Sequence, residues 1–449
     1  MASKNFGTLI YTLKSKVMAI MHRSFIHRRI ANRVLVAGLL GLLLISPSWA
    51  CTIFTASMKG EVLAGANEDY DNPFSKVWFN PSAKGRYGTI CFGFPDLQSQ
   101  AAINEYGLFF DFTAIGLDPA QYPLKNPYYG SLFLDILGQC RNVSEALEFL
   151  QTHDYPFSSQ ALLADAEGNS VIINAGSKVK KTGHYQISTN FNVCQLATKQ
   201  YSCGRYDIAD QLLSQAQTIS VPFFRQILSL THQEGGDPTQ YSMICDLKRG
   251  IISVYLYHNY EQAYQIDIKQ ELQKGYRVEN LADHFAPSFA YQSWAKRHAE
   301  YGREVFLSEV AKQGLDQTLT RYQGLTAKPA IKDSVNTLLL DAGMVFLRRS
   351  YGQYSTGNRW LYLYQFPQSY AIWHATDANI QAASRLFGSV VEQGCPKGLE
   401  AVTYEMFAYT NLVQNKVALA RQYYEKSLAI APPDSPTAKR GRAMLAQLN

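Results

Sequence analysis

The first fifty residues contain no acidic side chain, although they hold seven Lys and Arg: Lys4, Lys14, Lys16, Arg23, Arg28, Arg29 and Arg33. Taking those seven from 42 basic residues leaves 35 against 36 acidic ones, so the formal charge of +6 becomes −1 beyond residue 50. That balance leaves no basic footprint, and no nucleic acid is expected as a partner. No later stretch reaches the roughly 18 uncharged apolar residues that a membrane-spanning helix needs. There is no CxxC pair and no HExxH, so no metal site is predicted, and nothing calls for a cofactor. GxSxG and Walker-type loops are missing as well.

What the chain does have is apolar bulk. Its 449 residues, 47% hydrophobic and 13% aromatic, suffice for two or three domains with real cores. Val34 to Ile45 is an apolar run of signal-peptide length, followed by Ser48-Trp49-Ala50, an A-x-A-like cleavage pattern. Residues 1–50 are therefore predicted to be a signal peptide, with translation starting at Met1, Met18 or Met21. Arg28-Arg29 hints at twin-arginine export, though the residues after it fit that signal poorly. Ser48 stands where a lipoprotein start needs an aliphatic residue. The mature chain is expected to be exported, periplasmic or secreted, with no stable membrane span after leader cleavage.

Cleavage after Ala50 would make Cys51 the first residue, joining a thiol to a free α-amine. The amine titrates near about 7.7–8.0 and a thiol near about 8.5, so the amine can accept the thiol proton. The plain alternative is an ordinary buried or disulfide cysteine. Six others follow (Cys91, Cys140, Cys194, Cys203, Cys245, Cys395), and in an exported chain some could pair.

From residue 51 to about 270 the pattern is rich in strands. Thr52–Ala56 and Val62–Ala66 flank a turn at Met58-Lys59-Gly60-Glu61, a hairpin signal. Val77–Phe79, Tyr87–Phe94 and Gly107–Thr113 continue it. Ala161–Asp165 with Ser170–Asn174, and Tyr241–Asp246 with Ile251–His258, form further pairs. Asn142–Thr152 and Tyr206–Ala216 read as helices. Sequential hairpins mean antiparallel sheets whose outer faces helices must cover, an α+β layered domain over 51–275. Residues 276–400 read as an all-helical region, with Asp333–Arg349 its clearest amphipathic segment and turns at Lys328-Pro329 and Gln365-Phe366-Pro367. His284, His298 and His374 read as surface or packing residues. Residues 401–449 fit one tetratricopeptide-like hairpin: Tyr404, Phe407 and Ala408, then Ala420, Tyr424 and Ser427, closed by Pro432, with Asn411 departing from the pattern. A lone repeat cannot bury its own face, so it must dock on the preceding helices or on a protein partner.

Three motifs stand where strands or a helix begin or end: Asn67-Glu68-Asp69-Tyr70, Ser188-Thr189-Asn190-Phe191, and Tyr201 to Tyr206 with Arg205. With Cys51-Thr52-Ile53-Phe54 and Asn104-Glu105-Tyr106-Gly107-Leu108, their order resembles the linear amide C–N hydrolases. That is the choloylglycine hydrolase and penicillin V acylase family of N-terminal nucleophile hydrolases. The likeness covers about 51–270. It implies a four-layer αββα sandwich with Cys51 as nucleophile and its α-amine as proton carrier. It implies that Asp69 binds the terminal amine and cysteine, that Asn190 helps form the oxyanion hole, and that Arg205 lies near the nucleophile. Asn104 and Gly107 are expected to shape a turn.

Two positions depart from that family. Ala66 stands where an arginine is common, which leaves room for a different charge network using Glu68. Ala114 stands where bile-salt hydrolases have a second oxyanion asparagine; its backbone N–H could still serve. Bile salts and penicillin V are thus poor guesses for the small-molecule amide substrate. Three functions remain open: amide hydrolysis, acyl transfer from the same acyl-cysteine, and an inactive sandwich acting as a scaffold through its helices.

Overall fold

The computed structural model describes residues 51–83, 85–115, 132–152, 159–198, 201–299, 302–350 and 378–448. The leader, the turn at Gln365-Phe366-Pro367, His374 and the side chain of His298 lie outside the described residues.

Strands β1 (Thr52–Met58) and β2 (Glu61–Asp69) form the expected hairpin, with Met58 opposite Glu61 and Thr52 opposite Asn67. Lys59 and Gly60 both take positive φ, 50° and 89°, the backbone twist that suits a two-residue hairpin turn. The hairpin sits inside a six-stranded sheet ordered β10-β1-β2-β11-β12-β13. There β10 is Tyr185–Ser188, β11 Thr239–Asp246, β12 Ile251–Leu256 and β13 Tyr264–Asp267. The second sheet has eight strands in the order β14-β3-β4-β5-β6-β7-β8-β9. Its members are β3 (Lys76–Asn80), β4 (Thr89–Gly93), β5 (Ser99–Asn104), β6 (Phe109–Ala114), β7 (Ser159–Ala164), β8 (Ser170–Asn174), β9 (Ser177–Lys180) and β14 (Arg277–Asn280). All pairings are antiparallel.

Period-two alternation explains the layers. Ile53, Ala64, Ala66, Phe92, Ile103 and Met243 fill the space between the sheets. Their neighbours face outward: Phe110 and Phe112 meet Phe133 of helix α1 (Leu132–Gln139), beside α2 (Val143–Phe149). On the other side Phe54 packs on Phe224, ring centroids 4.8 Å apart, beneath α3 (Gly204–Ser214) and α4 (Val221–Thr231). Gly65 makes that contact possible, because a Cβ there would lie 2.9 Å from the Phe54 ring. The result is the expected α+β four-layer αββα sandwich.

The sandwich runs past the expected boundary at 275. Strand β14 pairs along β3, Arg277 lies over the Phe79 ring at 3.6 Å, and Leu281 enters the inter-sheet core after it. After a short helix α5 (Ile268–Leu272), the helical region comprises α6 (Phe289–Ala299), α7 (Arg303–Gln313), α8 (Leu315–Leu325), α9 (Pro329–Ser350), α10 (Ala378–Gln393), α11 (Glu400–Val413), α12 (Val417–Ile430) and α13 (Pro436–Gln447). One core runs from Phe306 through Leu339, Phe387 and Tyr409 to Met444, so packing is not divided at residue 400. Ala420, Tyr424 and Ser427 are fully buried in it. His284 stacks on Tyr264, with Glu279 at 2.9 Å. All seven cysteines are unbridged. Among the described residues no helix is long and apolar enough to cross a membrane.

Candidate active site

Strand register gathers most of the expected residues. Ile53 of β1 pairs with Ser188 of β10 on one side and Ala66 of β2 on the other. Cys51 therefore directly precedes β1, between the end of β2, which carries Glu68 and Asp69, and the segment after β10, which carries Asn190. Arg205, in the first turn of α3, closes the group from the outer layer. It donates from Nη1 to Thr52 Oγ1 and Asp69 Oδ2, both at 3.1 Å, and from Nη2 to Asn190 Oδ1 at 2.8 Å. Asn190 Nδ2 donates to the Ala114 carbonyl at 3.0 Å. The observed contact of Ala114 is thus through its carbonyl, where the family resemblance implied its N–H. The Asn190 carboxamide is held from both ends, so its orientation is fixed before any ligand arrives.

Alternation along the strands separates two carboxyls that are adjacent in sequence. Asp69 turns toward Arg205 and also accepts a hydrogen bond from the Thr239 hydroxyl. Glu68 shares the parity of Val62, Ala64 and Ala66 and faces the space between the sheets. The Cys51 thiol lies 3.6 Å from its Oε2. From the opposite sheet Asp111 of β6, on the same face as Phe109, hydrogen-bonds to the Glu68 side chain. Ala66, where the resemblance implied an arginine, packs in that inter-sheet core.

Three carboxyls and one guanidinium make an unbalanced set. Burial, the nearby Glu68 charge and the shared hydrogen bond all push the Asp111 carboxyl up. Burial also lifts Glu68 to about 7, opposed by its bonds to Asp111 and Cys51. Two carboxyls can bond each other only with a proton between them, and burial favours the form of the pair that keeps one. Asp69 is pushed up by burial and pulled back by Thr239 and Arg205. The half-buried Cys51 thiol is raised well above its ordinary range, first by burial and then by Glu68, Asp69 and Asp111. While residue 50 is attached, the Cys51 nitrogen is an uncharged amide. A terminal ammonium there would supply a second positive charge and oppose each of these shifts.

Asp111, Thr239 and Tyr241, whose hydroxyl feels Glu68, Asp111 and Cys51, were not singled out from the sequence, and Thr52 entered only as part of the motif that begins at Cys51. A signal existed for Asp111, the lone acid in the apolar strand Gly107–Thr113. Asn104 is fully buried, donates to the carbonyls of Leu137 and Cys140 at 2.8 Å, and accepts from the N–H groups of Tyr106 and Leu108 at 3.0 Å. Gly107 has φ +82°, and a Cβ there would sit 2.2 Å from the Leu247 carbonyl oxygen. Both shape the β5–β6 turn.

The acyl-coenzyme A:6-aminopenicillanic acid acyl-transferase family profile matches residues 56–220. Among solved structures, a mutant conjugated bile acid hydrolase from Clostridium perfringens aligns at 17% identity over 53% of this chain and 97% of its own, with a TM-score of 0.43. A second variant of that hydrolase aligns at 17% identity over 53% and 99%, with a TM-score of 0.42. Penicillin V acylase from Agrobacterium tumefaciens aligns at 15% identity over 51% and 90%, with a TM-score of 0.35. No curated protein matches the chain in sequence.

Proposed function

We propose that this chain, which resembles the linear amide C–N hydrolases of the choloylglycine hydrolase and penicillin V acylase family, is an exported amidase whose N-terminal cysteine is uncovered by removal of residues 1–50. The observation that carries the reading is the charge deficit at Cys51. Buried carboxyls from both sheets converge on a residue whose nitrogen becomes cationic only on cleavage.

In the mature chain the neutral α-amine takes the thiol proton, becoming the ammonium that the carboxyls surround, and the sulfur attacks the amide carbonyl, forming a C–S bond and a tetrahedral oxyanion. Asn190 is the proposed oxyanion donor, preorganised by Arg205 and Ala114. Collapse breaks the C–N bond, and the α-ammonium protonates the leaving amine. Water then attacks the thioester, giving up its proton to the same amine, and releases the acid and the free thiol. Asp69 positions the amine, and Glu68 with Asp111 sets the local charge. No cofactor enters these steps.

Intact-mass analysis of the exported protein should find a chain beginning at Cys51. A mature form that keeps Ala50 sinks the mechanism, because the amine then no longer sits on the nucleophile. The matched acyl-transferase profile favours a second reading, in which an amine takes the acyl group in place of water. Partitioning of a reactive acyl donor between hydrolysis and aminolysis separates the two. The scaffold reading predicts instead that a thiol-directed electrophile labels Cys51 no faster than in the unfolded chain. The substrate is to be found by screening N-acyl amino acids, acyl homoserine lactones and short peptides.

A further inference from the structure

A second cluster stands beyond Thr239, the residue that holds Asp69. Helix α4 ends at Thr231, and His232 follows in extended backbone. His232 Nδ1 lies 2.7 Å from the Ser229 carbonyl, which can only accept, so Nδ1 is a donor and Nε2 is the nitrogen left to face a ligand. That Nε2 is 3.5 Å from Glu234 Oε1. Across from them His258 occupies the turn after β12, where Tyr257 and His258 have φ of 42° and 63°. Two consecutive non-glycine residues in the left-handed region are held there by their surroundings. The His258 ring meets the backbone of Gln233 and Thr239, while its Nε2 is buried without a hydrogen-bond partner.

One ligand atom each from His232, Glu234 and His258 lies within 4.8 Å of the others. We propose that these three side chains form a binding site for a divalent cation of the zinc class, two imidazole nitrogens and one carboxylate oxygen leaving a fourth position to water. Zinc bonds of about 2.0–2.2 Å in a tetrahedron place neighbouring ligand atoms roughly 3.4 Å apart, and the His232–Glu234 pair already matches that separation. Glu234, 79% exposed at its side chain, is free to close on the ion. Backbone partners on the far side of both rings are what orient imidazoles at metal sites.

The cation would clip the 232–239 loop to the β12 turn. The loop base is already closed by Gln233 N–H to Thr239 Oγ1 at 2.8 Å and Thr239 N–H to the Gln233 carbonyl at 3.0 Å. The site stands whether or not Cys51 is a nucleophile.

Full-length protein stripped with a chelator and titrated with Zn²⁺ should bind one ion per chain and unfold at a higher temperature when loaded. His258→Asn and His232→Asn should each weaken binding by more than about 100-fold, beyond the 10–100-fold typical of outer-shell partners. Glu234→Gln, at an exposed position where folding is not at risk, should weaken it by about 10-fold or more. Co²⁺ in the site should show ligand-field bands without a thiolate charge-transfer band. Failure to bind one equivalent, wild-type affinity in Glu234→Gln together with His258→Asn, or a thiolate band that places the ion on a cysteine would each overturn the assignment.

Discussion

In the helical region Arg440 grips Glu405 with two parallel bonds, Nε to Oε1 at 2.5 Å and Nη2 to Oε2 at 2.7 Å. In the sandwich Arg205 gives Asp69 one bond of 3.1 Å and directs others to Thr52 and Asn190. Burial does not distinguish the two pairs: both carboxylates are 0% exposed, with the arginines at 18% and 16%. Their company does. Glu405 meets its arginine in a bidentate fork, the arrangement that best offsets the desolvation of both charges. Asp69 shares one guanidinium with a site that also holds Glu68 and Asp111. The first pair closes a core, and the second leaves negative charge for something else to complete. A buried ion pair thus says little by itself; the count of charges around it says whether it is structural or functional.

The sharpest break between the regions is chemical. Cys51→Ala should lower amide turnover by on the order of 10⁴-fold or more and abolish any acyl adduct by mass, while leaving the unfolding transition in place. Turnover that persists in the variant would move the chemistry elsewhere in the molecule.

Next in size come the arginines. Arg440→Leu should cost about 3–5 kcal/mol in denaturant unfolding, because it strands a buried carboxylate, and Glu405→Leu added to it should restore most of the loss. Arg205→Leu should cost a similar amount and also slow turnover, since Asn190 loses the donor that orients it. If Arg440→Leu slowed turnover as strongly as Arg205→Leu, the contrast drawn here would fail.

A smaller effect is expected with pH. Glu68 is lifted from 4.5 to about 7, so the folded chain keeps a proton that the unfolded chain releases. Its contribution to stability is complete below about 4.5 and is lost as pH rises through about 7, up to about 3 kcal/mol in all. Glu68→Gln should flatten that slope when urea unfolding is compared at pH 5 and pH 8. A chain beginning at Cys51 should show a narrower slope than one retaining residues 1–50, because the ammonium favours ionised Glu68. Equal slopes in all three would remove Glu68 from the charge network.

These contrasts were only partly legible in the chain. The β1–β2 hairpin was, because Lys59-Gly60 marks its turn and alternation fixes its faces. The helix around Arg205 was legible, its start set two residues late. Asp111 was harder: parity puts it on one face of β6, but only the packing of the two sheets brings that face to Glu68. Strand β14 was hidden because Arg277-Val278-Glu279-Asn280 alternates half-buried polar side chains at a sheet edge, a weak signal beside a helical stretch. His258 was counted within a strand, while its left-handed backbone turns it toward His232. Such pairings are tertiary, and no local pattern encodes them.

The smallest predicted effect tests whether the two regions are energetically separate. Arg349 of α9 donates from Nε to the Pro95 carbonyl at 2.8 Å, reaching from the helical region to the β4–β5 connection of the sandwich. Beside it a cleft of about 300 Å³ is lined by Tyr70, Phe94 and Asp96 from the sandwich and by Arg303, Glu304 and Asp341 from the helices. Tyr70 follows Asp69 directly, so the helices border the same strand end as the site. Arg349→Ala removes a hydrogen bond made by a half-buried charged group, a loss of about 1.5 kcal/mol, the low end for a charged donor. If the helices shape access to Cys51, the variant should alter the ratio of turnover on bulky and small amides while leaving labelling of Cys51 by a small electrophile unchanged. An unchanged ratio, measured with amides of graded acyl length, would confine the helical region to packing or to a protein partner.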